Sequence, residues 1–259
     1  MRERVLQHYA AGGEDARLVA TARGRLEIER TMEIVAPLIT PGAVVHDIGG
    51  GSGRYAEWLT ALGADVTLFD PVPLHVEQAR ARSAGTFAVE LADARAIARP
   101  DASADVALLL GPLYHLREEA ERAEALAEAM RLLRPGGVLV AAGISRFAWL
   151  LDAFGKGILG EPGIWASVTR TARGDDDPMT GFPAVFHLPE ELRREVAVAG
   201  YADVVVRAVE GFGFVLPDLA TRLDDPRARR ELLDAIALVD AEPSTLGVTS
   251  HFLAIARRP

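Results

Sequence analysis

From residue 43 onward the chain alternates between two hydrophobic patterns. Short apolar runs typical of buried strands are separated by stretches with helical spacing. The predicted strands are 43–48, 65–69, 86–91, 104–110 and 137–144, and the predicted helices between them are 54–63, 73–82 and 117–133. Because each strand is followed by a helix or a loop of crossover length, the pattern predicts βαβ units, a parallel sheet and right-handed crossovers.

The alternation of strand and helix patterns ends after residue 144. The next segment is too long for an ordinary connection, so we expect a partly helical lid. A helix over 190–200 and strands over 202–209 and 250–256 then complete the sheet, and the insertion between these strands is predicted to be helical around 217–241. We therefore expect a single domain, 1–259, whose parts are an N-terminal helical segment at 1–40, a core at 41–144, a lid at 145–187, and a C-terminal part at 188–259 that contains the insertion 211–247.

Composition narrows the class of protein. The chain has 259 residues, of which 49% are hydrophobic, so it can bury a sizeable core. It has no cysteine, which excludes disulfides and a cysteine nucleophile, and its net charge of −9 argues against a nucleic-acid partner. No apolar window approaches the ~18 residues of a membrane span, and the charged N-terminus does not resemble a signal peptide, so we expect a cytoplasmic protein.

The stretch "HDIGGGSGRY", residues 46–55, is a glycine-rich turn that follows the first predicted strand. Glycine allows positive φ and leaves room for a ligand, and the following helix offers free N–H groups to a carboxylate or phosphate. Gly51, Gly53 and Ala56 also fit a dinucleotide fingerprint, and Asp70 after the second strand would bind a ribose in either case. Asp47 favours the other alternative, because a carboxylate there repels a pyrophosphate and attracts an ammonium group.

Four further segments carry a resemblance to a known family. Together with "VVHDIGGGSGRY", the segments "LFDP", "LADA", "LLLGPLYHL" and "LLRPGG" follow one another in the order found in the class I S-adenosylmethionine-dependent methyltransferases, which this chain resembles. "GPLYHL" is similar to a motif of a bacterial small-molecule subgroup. The resemblance implies a Rossmann-like α/β fold with helices on both faces of a seven-stranded, mostly parallel sheet. Its last strand, "SHFLAIARR", would be antiparallel.

The resemblance also implies S-adenosyl-L-methionine as the cofactor and S-adenosyl-L-homocysteine as its product. The implied contacts are Gly49, Gly51 and Gly53 with the methionine part and ribose, Asp47 with the amino group, Asp70 with the ribose hydroxyls, Asp93 with the adenine amine, Ala94 with a ring nitrogen, and Pro71 and Val72 with the adenine face. Arg30 is a candidate partner for the cofactor carboxylate; the alternative is an exposed helical arginine.

For the acceptor we expect a small organic molecule and, as the leading reaction, O-methylation, with N- or C-methylation as alternatives. Two histidines are candidate general bases, His115 in "GPLYHL" and His187 before the helix at 190–200, and each has a structural role as its alternative. His251 is predicted to be structural. Candidate walls of the acceptor pocket are Tyr9, Tyr114, Phe147, Trp149, Trp165 and Phe186.

Other classes remain as alternatives. "RGDDDP", residues 173–178, is interpreted as a solvated loop, because consecutive aspartates diverge and make poor cation ligands, so no metal is expected. Gly111 stands where methyltransferases of DNA bases or protein glutamine carry Asn or Asp, which disfavours those substrates. An NAD-dependent oxidoreductase shares the glycine turn and Asp70 but does not explain Asp93 or "LLRPGG". A non-catalytic cofactor-binding protein is the other alternative, and the oligomeric state is not indicated.

Overall fold

The computed structural model describes residues 19–175 and 184–259 as a mixed α/β fold around one sheet. Seven strands lie in the order β3-β2-β1-β4-β5-β8-β7, and a short β6 pairs with β5. The strands are β1 Val44–Ile48, β2 Asp65–Asp70, β3 Ala88–Leu91, β4 Ala104–Leu109, β5 Leu133–Ser145, β6 Phe186–His187, β7 Ala202–Ala208 and β8 His251–Arg257. β8 is antiparallel to both of its neighbours, as expected for the last strand.

Helices cover this sheet and form the additional segments. They are α1 Ala22–Val35, α2 Arg54–Ala61, α3 Pro73–Ser83, α4 Pro112–His115, α5 Glu119–Leu132, α6 Ala148–Gly155, α7 Ile164–Arg173, α8 Pro189–Val198, α9 Leu219–Asp224 and α10 Pro226–Val239. Local chemistry sets several boundaries: the Thr21 side chain accepts from the Gly24 N–H at the start of α1, and α3, α4, α8 and α10 carry proline in their first turn. No helix in the described ranges is long and apolar enough to cross a bilayer.

Alternating residues of the central strands build a core on each face of the sheet. Leu139 and Ala141 of β5 belong to one buried cluster, and Val138 and Val140 belong to the other. A third cluster joins α1 to the insertion helices α9 and α10 through Leu26. Buried central strands with both faces covered explain the continuous apolar runs in the sequence.

The strand order reverses between β1 and β4, which neighbour each other although β2 and β3 intervene in the chain. In open parallel sheets, ligands bind beyond the carboxyl ends of the strands at this reversal. The loops after β1, β2 and β4 therefore face one region, and these loops carry the glycine turn, Asp70 and "GPLYHL".

The predicted architecture is confirmed, with two corrections. The sheet has eight strands and not seven, because Phe186–His187 pairs with Ile144–Ser145 at the end of the lid. β5 also begins at Leu133 and not at 137. The helix α5 ends at Leu132, near its predicted end, and the next residue, Leu133, already pairs with β4. The register between β4 and β5 is irregular at this point. Two-residue strands and bulged strand starts leave no periodic pattern, so the sequence did not indicate them.

Candidate functional site

The glycine turn has steric requirements that explain its composition. Gly49 and Gly51 have φ of +74° and +58°, and a Cβ on Gly49 would lie 2.6 Å from Pro112 Cγ of the "GPLYHL" segment. Gly49 must therefore be glycine for the loops after β1 and β4 to meet. A Cβ on Gly51 would meet nothing within 4 Å, so this part of the turn borders open space that a ligand can enter.

Asp47 is a buried carboxylate at the end of β1. Its side chain is 1% exposed, and neither oxygen has a hydrogen-bond partner among the described residues. Burial and the nearby charge of Asp70 raise the pKa of the Asp47 carboxyl to about 7. A buried acid without partners costs stability, which indicates a group selected for an interaction with a cationic ligand.

Asp70, at the end of β2, is held by its own loop. Its Oδ2 accepts from the Gly51 N–H at 2.9 Å, and its Oδ1 accepts from the Val72 N–H at 2.9 Å. The Nδ1 of the buried His75 lies 3.1 Å from the same Oδ1. These contacts fix the orientation of the carboxylate and tie the β2 loop to the glycine turn.

His75 is a site residue that sequence analysis missed. It lies in the first turn of α3, five residues after Asp70, and is 6% exposed. The sequence could have indicated this contact, because a histidine in the first turn of a helix can reach back to an aspartate at the end of the preceding strand.

The electrostatics of the turn distinguish between ligand classes. Two buried carboxylates, Asp47 and Asp70, lie beside one glycine loop. A phosphate group there would meet like charge in a region of low dielectric, whereas an ammonium or sulfonium would be stabilised. The charges of the turn therefore favour a cationic ligand over one that places a phosphate group here.

Asp93 and Ala94 follow β3. Both Asp93 oxygens accept from the Arg95 guanidinium at 2.9 Å, and Arg95 also bonds Glu121. The hydrogen bonds that Arg95 donates to Asp93 raise the pKa of Arg95 above its usual range. Ala94 is buried and Pro71 half-buried. The predicted contacts of Asp93, Ala94 and Pro71 with adenine stay predictions; a carboxylate has lone pairs left for an amine donor beside this ion pair.

Arg30 requires a correction. It is fully buried on α1, where Nε donates to the Val209 carbonyl at 3.3 Å, Nη2 to Asp240 at 2.6 Å, and Nη1 to Glu33. All three of its nitrogens are used within the protein, so Arg30 joins α1 to the end of α10 and is neither a partner for a ligand carboxylate nor an exposed arginine.

Tyr114 and His115 lie in the one-turn helix α4, directly beyond β4. The Tyr114 hydroxyl donates to the Leu110 carbonyl at 2.9 Å, and the Tyr114 and His115 rings meet edge to face at 4.7 Å. His115 is half-buried. The position at the reversal of strand order is the one expected for a group near a reacting methyl, and the role of His115 as a base stays a prediction.

His187 lies in a buried ion-pair network. Its Nε2 is 3.5 Å from Glu195 Oε2, and Arg122 donates to both Glu195 oxygens at 2.7 and 2.8 Å. Burial alone would raise the pKa of Glu195, but the hydrogen bonds from Arg122 and the proximity of His187 lower that pKa to about 2. Arg122 and Glu195 tie α5 to α8, whereas neither ring nitrogen of the buried His187 has a hydrogen-bond partner among the described residues. The catalytic and the structural role of His187 both stay predictions.

The predicted aromatic wall residues separate into different environments. Trp149, whose Nε1 donates to Ser167 Oγ at 2.8 Å, and Phe186 line a cavity of about 770 Å³ between α1, α6 and the segment 211–220. Phe147 lies near Gly247, and Trp165 is 64% exposed. Tyr9, like Asp176 and Asp177 of "RGDDDP", lies outside the described residues.

The same cavity contains His251, which the sequence analysis predicted to be structural. Its Nδ1 lies 2.5 Å from Oε1 of Glu210, a fully buried carboxylate just beyond β7. Glu210 Oε2 accepts from the Thr249 hydroxyl and from the His251 N–H, both at 2.9 Å. Burial opposes ionisation of Glu210, but the interaction with His251 keeps the pKa of Glu210 below its usual value.

Residues 46–141, the centre of this region, match a family model described as a methyltransferase domain. The ubiquinone biosynthesis O-methyltransferase of Methylocella silvestris is 31% identical over 169 residues, which are 63% of this chain and 60% of that protein. An uncharacterized methyltransferase of Mycobacterium tuberculosis is 37% identical over 95 residues, 37% of each chain. The chain thus matches less than two thirds of the length of either curated relative.

Structures of known proteins support the fold. An S-adenosylmethionine-dependent methyltransferase of Thermotoga maritima, described as a possible histamine N-methyltransferase, aligns over 100% of both chains with a TM-score of 0.60 and 18% identity. At this identity the likeness establishes the architecture. The match of residues 46–141 to the family model includes the glycine turn, Asp70, Asp93 and "GPLYHL", so the matched segment and the candidate site are the same part of the chain.

Proposed function

We propose that this chain is a class I S-adenosylmethionine-dependent methyltransferase and that it transfers a methyl group to a small organic molecule, with O-methylation as the leading reaction. The observation that carries this proposal is Asp47, a buried carboxylate without a partner among the described residues, beside the glycine turn. The ammonium group of S-adenosylmethionine would neutralise it. A pyrophosphate would not, which makes a nicotinamide-dependent oxidoreductase the weaker alternative.

The chain's own residues can bind the remaining parts of the cofactor. Asp70, fixed by Gly51, Val72 and His75, is oriented to accept from ribose hydroxyls. Asp93 and Ala94 would contact the adenine from the loop after β3. The two Asp47 oxygens are covered by the glycine turn, and a Cβ on Gly50 would clash with Asp47 Oδ2, so entry of the ammonium requires a small shift of this loop.

When bound, the cofactor supplies an activated methyl group on a sulfonium sulfur, so catalysis consists largely of positioning the acceptor in line with it. The short helix α4 lies at the reversal of strand order and bears His115, which we retain as a candidate to take a proton from a hydroxyl acceptor. For His187 we propose the structural role, because it is 2% exposed and lies beside the Glu195 carboxylate that is paired with Arg122.

The acceptor class rests on three supports. The relative from Methylocella silvestris is named as an O-methyltransferase, which favours a hydroxyl acceptor. The net charge of −9 and Gly111 in place of Asn or Asp disfavour a nucleic-acid or glutamine substrate. The Thermotoga maritima structure, described as a possible N-methyltransferase, keeps an amine acceptor as the second candidate.

Methyl transfer from deuterium-labelled S-adenosylmethionine to a panel of phenols, catechols and amines tests the proposal by mass spectrometry. We expect labelled product with at least one small hydroxyl compound, loss of product in Asp47→Asn, and unchanged product in Arg227→Gln, a change at a surface residue whose side chain is 89% exposed. If amines become labelled and no hydroxyl compound does, the proposed reaction is N-methylation and not O-methylation. No transfer to any compound, despite binding of S-adenosylhomocysteine, would favour a non-catalytic cofactor-binding protein.

A further inference from the structure

Two glutamates and a histidine from three separate parts of the chain meet beside the cavity between α1, α6 and the segment 211–220. Glu27 lies on α1, Glu210 just beyond β7, and His251 at the start of β8. One side-chain oxygen or nitrogen of each residue lies within 4.8 Å of those of the other two. Carboxylate oxygens and imidazole nitrogens are metal ligands, so the Glu27–Glu210–His251 cluster has the composition of a metal site.

The distances within this cluster are close to those between atoms that share one metal ion. The Nδ1 of His251 lies 2.5 Å from Glu210 Oε1 and 3.9 Å from Glu27 Oε2. Ligand atoms that are each about 2.0–2.2 Å from a zinc ion are ~3–4 Å from one another. An ion among the three side chains therefore requires shifts on the order of 1 Å.

The cluster carries excess negative charge that a divalent cation would offset. The carboxylates of Glu27 and Glu210 both face the His251 ring, and a single imidazole cannot balance two carboxylates, whether it is protonated or neutral. Glu210 is 1% exposed, and a cation stabilises a buried carboxylate much more strongly than one in water.

The neighbouring cations of α1 and α6 are paired with other carboxylates. Arg23 and Lys156 both contact Asp152, and Arg30 contacts Asp240. The side chain of Lys156 is 55% exposed, so solvent screens its charge. The negative charge of the cluster is therefore local to the inner end of the cavity.

The types of ligand atom favour a particular class of metal. Imidazole suits Zn²⁺ and similar transition metals, whereas Ca²⁺ takes about 6–8 oxygen ligands and Mg²⁺ also prefers oxygen. One imidazole nitrogen with two carboxylate oxygens provides three protein ligands. In exchangeable zinc sites three protein ligands leave a further position for water or another molecule.

The surroundings of the cluster supply two further requirements of a metal site, an oriented ligand and an entry path. The Thr249 hydroxyl and the His251 N–H both donate to Glu210 Oε2 at 2.9 Å, which leaves Glu210 Oε1 directed at the His251 ring. Glu27 and His251 line the cavity of about 770 Å³, so an ion and its water ligands can reach them.

We propose that Glu27, Glu210 and His251 bind one divalent metal ion of the zinc class, whose remaining coordination positions are directed into the cavity. The ion joins α1 to the end of β7 and the start of β8. The site goes beyond the proposed methyl transfer, which does not require it. The sequence argument against a metal concerned residues 173–178 alone, whereas this cluster joins positions that are distant along the chain.

Titration of the untagged protein with Co²⁺ tests the site, because Co²⁺ can take the place of zinc and its visible absorption bands report its ligands. We expect saturation at about one Co²⁺ per chain, loss of the bands when Zn²⁺ is added, and little competition from Mg²⁺. Glu27→Gln and His251→Gln should each weaken Co²⁺ binding by at least about tenfold. The control Glu29→Gln, at a glutamate of the same helix that pairs with Arg229, should bind Co²⁺ like the wild type.

Absence of saturable Co²⁺ binding to the wild type would show that the cluster is an ion-pair network only, and the proposal would be wrong. Bands that persist unchanged in His251→Gln would also overturn it, because the ion would then be bound elsewhere. Circular dichroism shows whether each variant is folded. If the cluster variants are unfolded, Thr249→Val decides: weaker Co²⁺ binding supports the site, and equal binding contradicts it. Calorimetry with S-adenosylhomocysteine tests the methyltransferase proposal separately, and its failure would leave the Co²⁺ result intact.

Discussion

Replacement of Asp47 by Asn should stabilise the cofactor-free protein while it weakens the cofactor site. The pKa of Asp47 rises from an ordinary 3.8 to about 7 because of burial and the charge of Asp70. Each pKa unit corresponds to ~1.4 kcal/mol, so ionised Asp47 costs the folded state about 4 kcal/mol. The asparagine side chain has nearly the same shape as aspartate and no charge, so this cost disappears in the variant.

The sign of the pH dependence follows from the raised pKa. The protonated acid is favoured in the folded state, so its stabilising effect is complete below pH ~4 and is lost as the pH rises through about 7. The free energy of unfolding of Asp47→Asn should exceed that of the wild type by up to about 4 kcal/mol at pH 8, and the difference should shrink toward pH 4.

Urea unfolding without cofactor, followed by circular dichroism at several pH values, measures this difference. Asp65→Asn, at an exposed carboxylate at the start of β2, is the control and should show no such pH-dependent gain. A variant at position 47 that is less stable than the wild type at pH 8 would refute the reasoning, because it would mean that Asp47 has partners and is not an orphaned charge.

Three further predictions concern the loops and the buried ion pairs. His75→Phe removes a donor to Asp70 and should weaken the binding of S-adenosylhomocysteine about tenfold, as measured by calorimetry. His75→Gln should recover part of this affinity. Equal affinity of His75→Phe and the wild type would show that Asp70 does not need this contact. Gly49→Ala should lower stability by about 1–3 kcal/mol in urea unfolding, because its Cβ would press on Pro112, and an unchanged midpoint would contradict the positive φ at this position. Arg122→Met leaves Glu195 buried without its cation and should lower the free energy of unfolding by about 3–5 kcal/mol. A second change, Glu195→Leu, should restore much of this loss. Equal stability of the single and double variants would count against the network.

The parts of the fold that were predicted correctly depend on local signals. Apolar runs bounded by turn residues identified β1 to β4, and the glycine cluster identified the turn after β1, since both signals are legible within ten residues. The cationic ligand inferred from Asp47 stays a prediction. The antiparallel β8 was expected only through the family resemblance.

The features that the sequence did not indicate join distant positions. Arg30 pairs with Asp240, His251 with Glu210, and His187 with Glu195. No local pattern shows which buried charge will find which partner, because the fold decides that. For this reason neither alternative given for Arg30, a ligand contact or an exposed arginine, included its buried pairing with Asp240, and the His251–Glu210 pair was not recognised.

We propose that the glycine turn and its two buried carboxylates bind S-adenosylmethionine. Calorimetric titration of the wild-type protein with S-adenosylhomocysteine and, separately, with NAD tests it most directly, in buffers of different ionisation enthalpy near pH ~6. We expect saturable binding of S-adenosylhomocysteine with release of a proton, because an ammonium favours ionised Asp47, and no binding of NAD. Tight NAD binding, or S-adenosylhomocysteine binding whose proton release persists in Asp47→Asn, would contradict it.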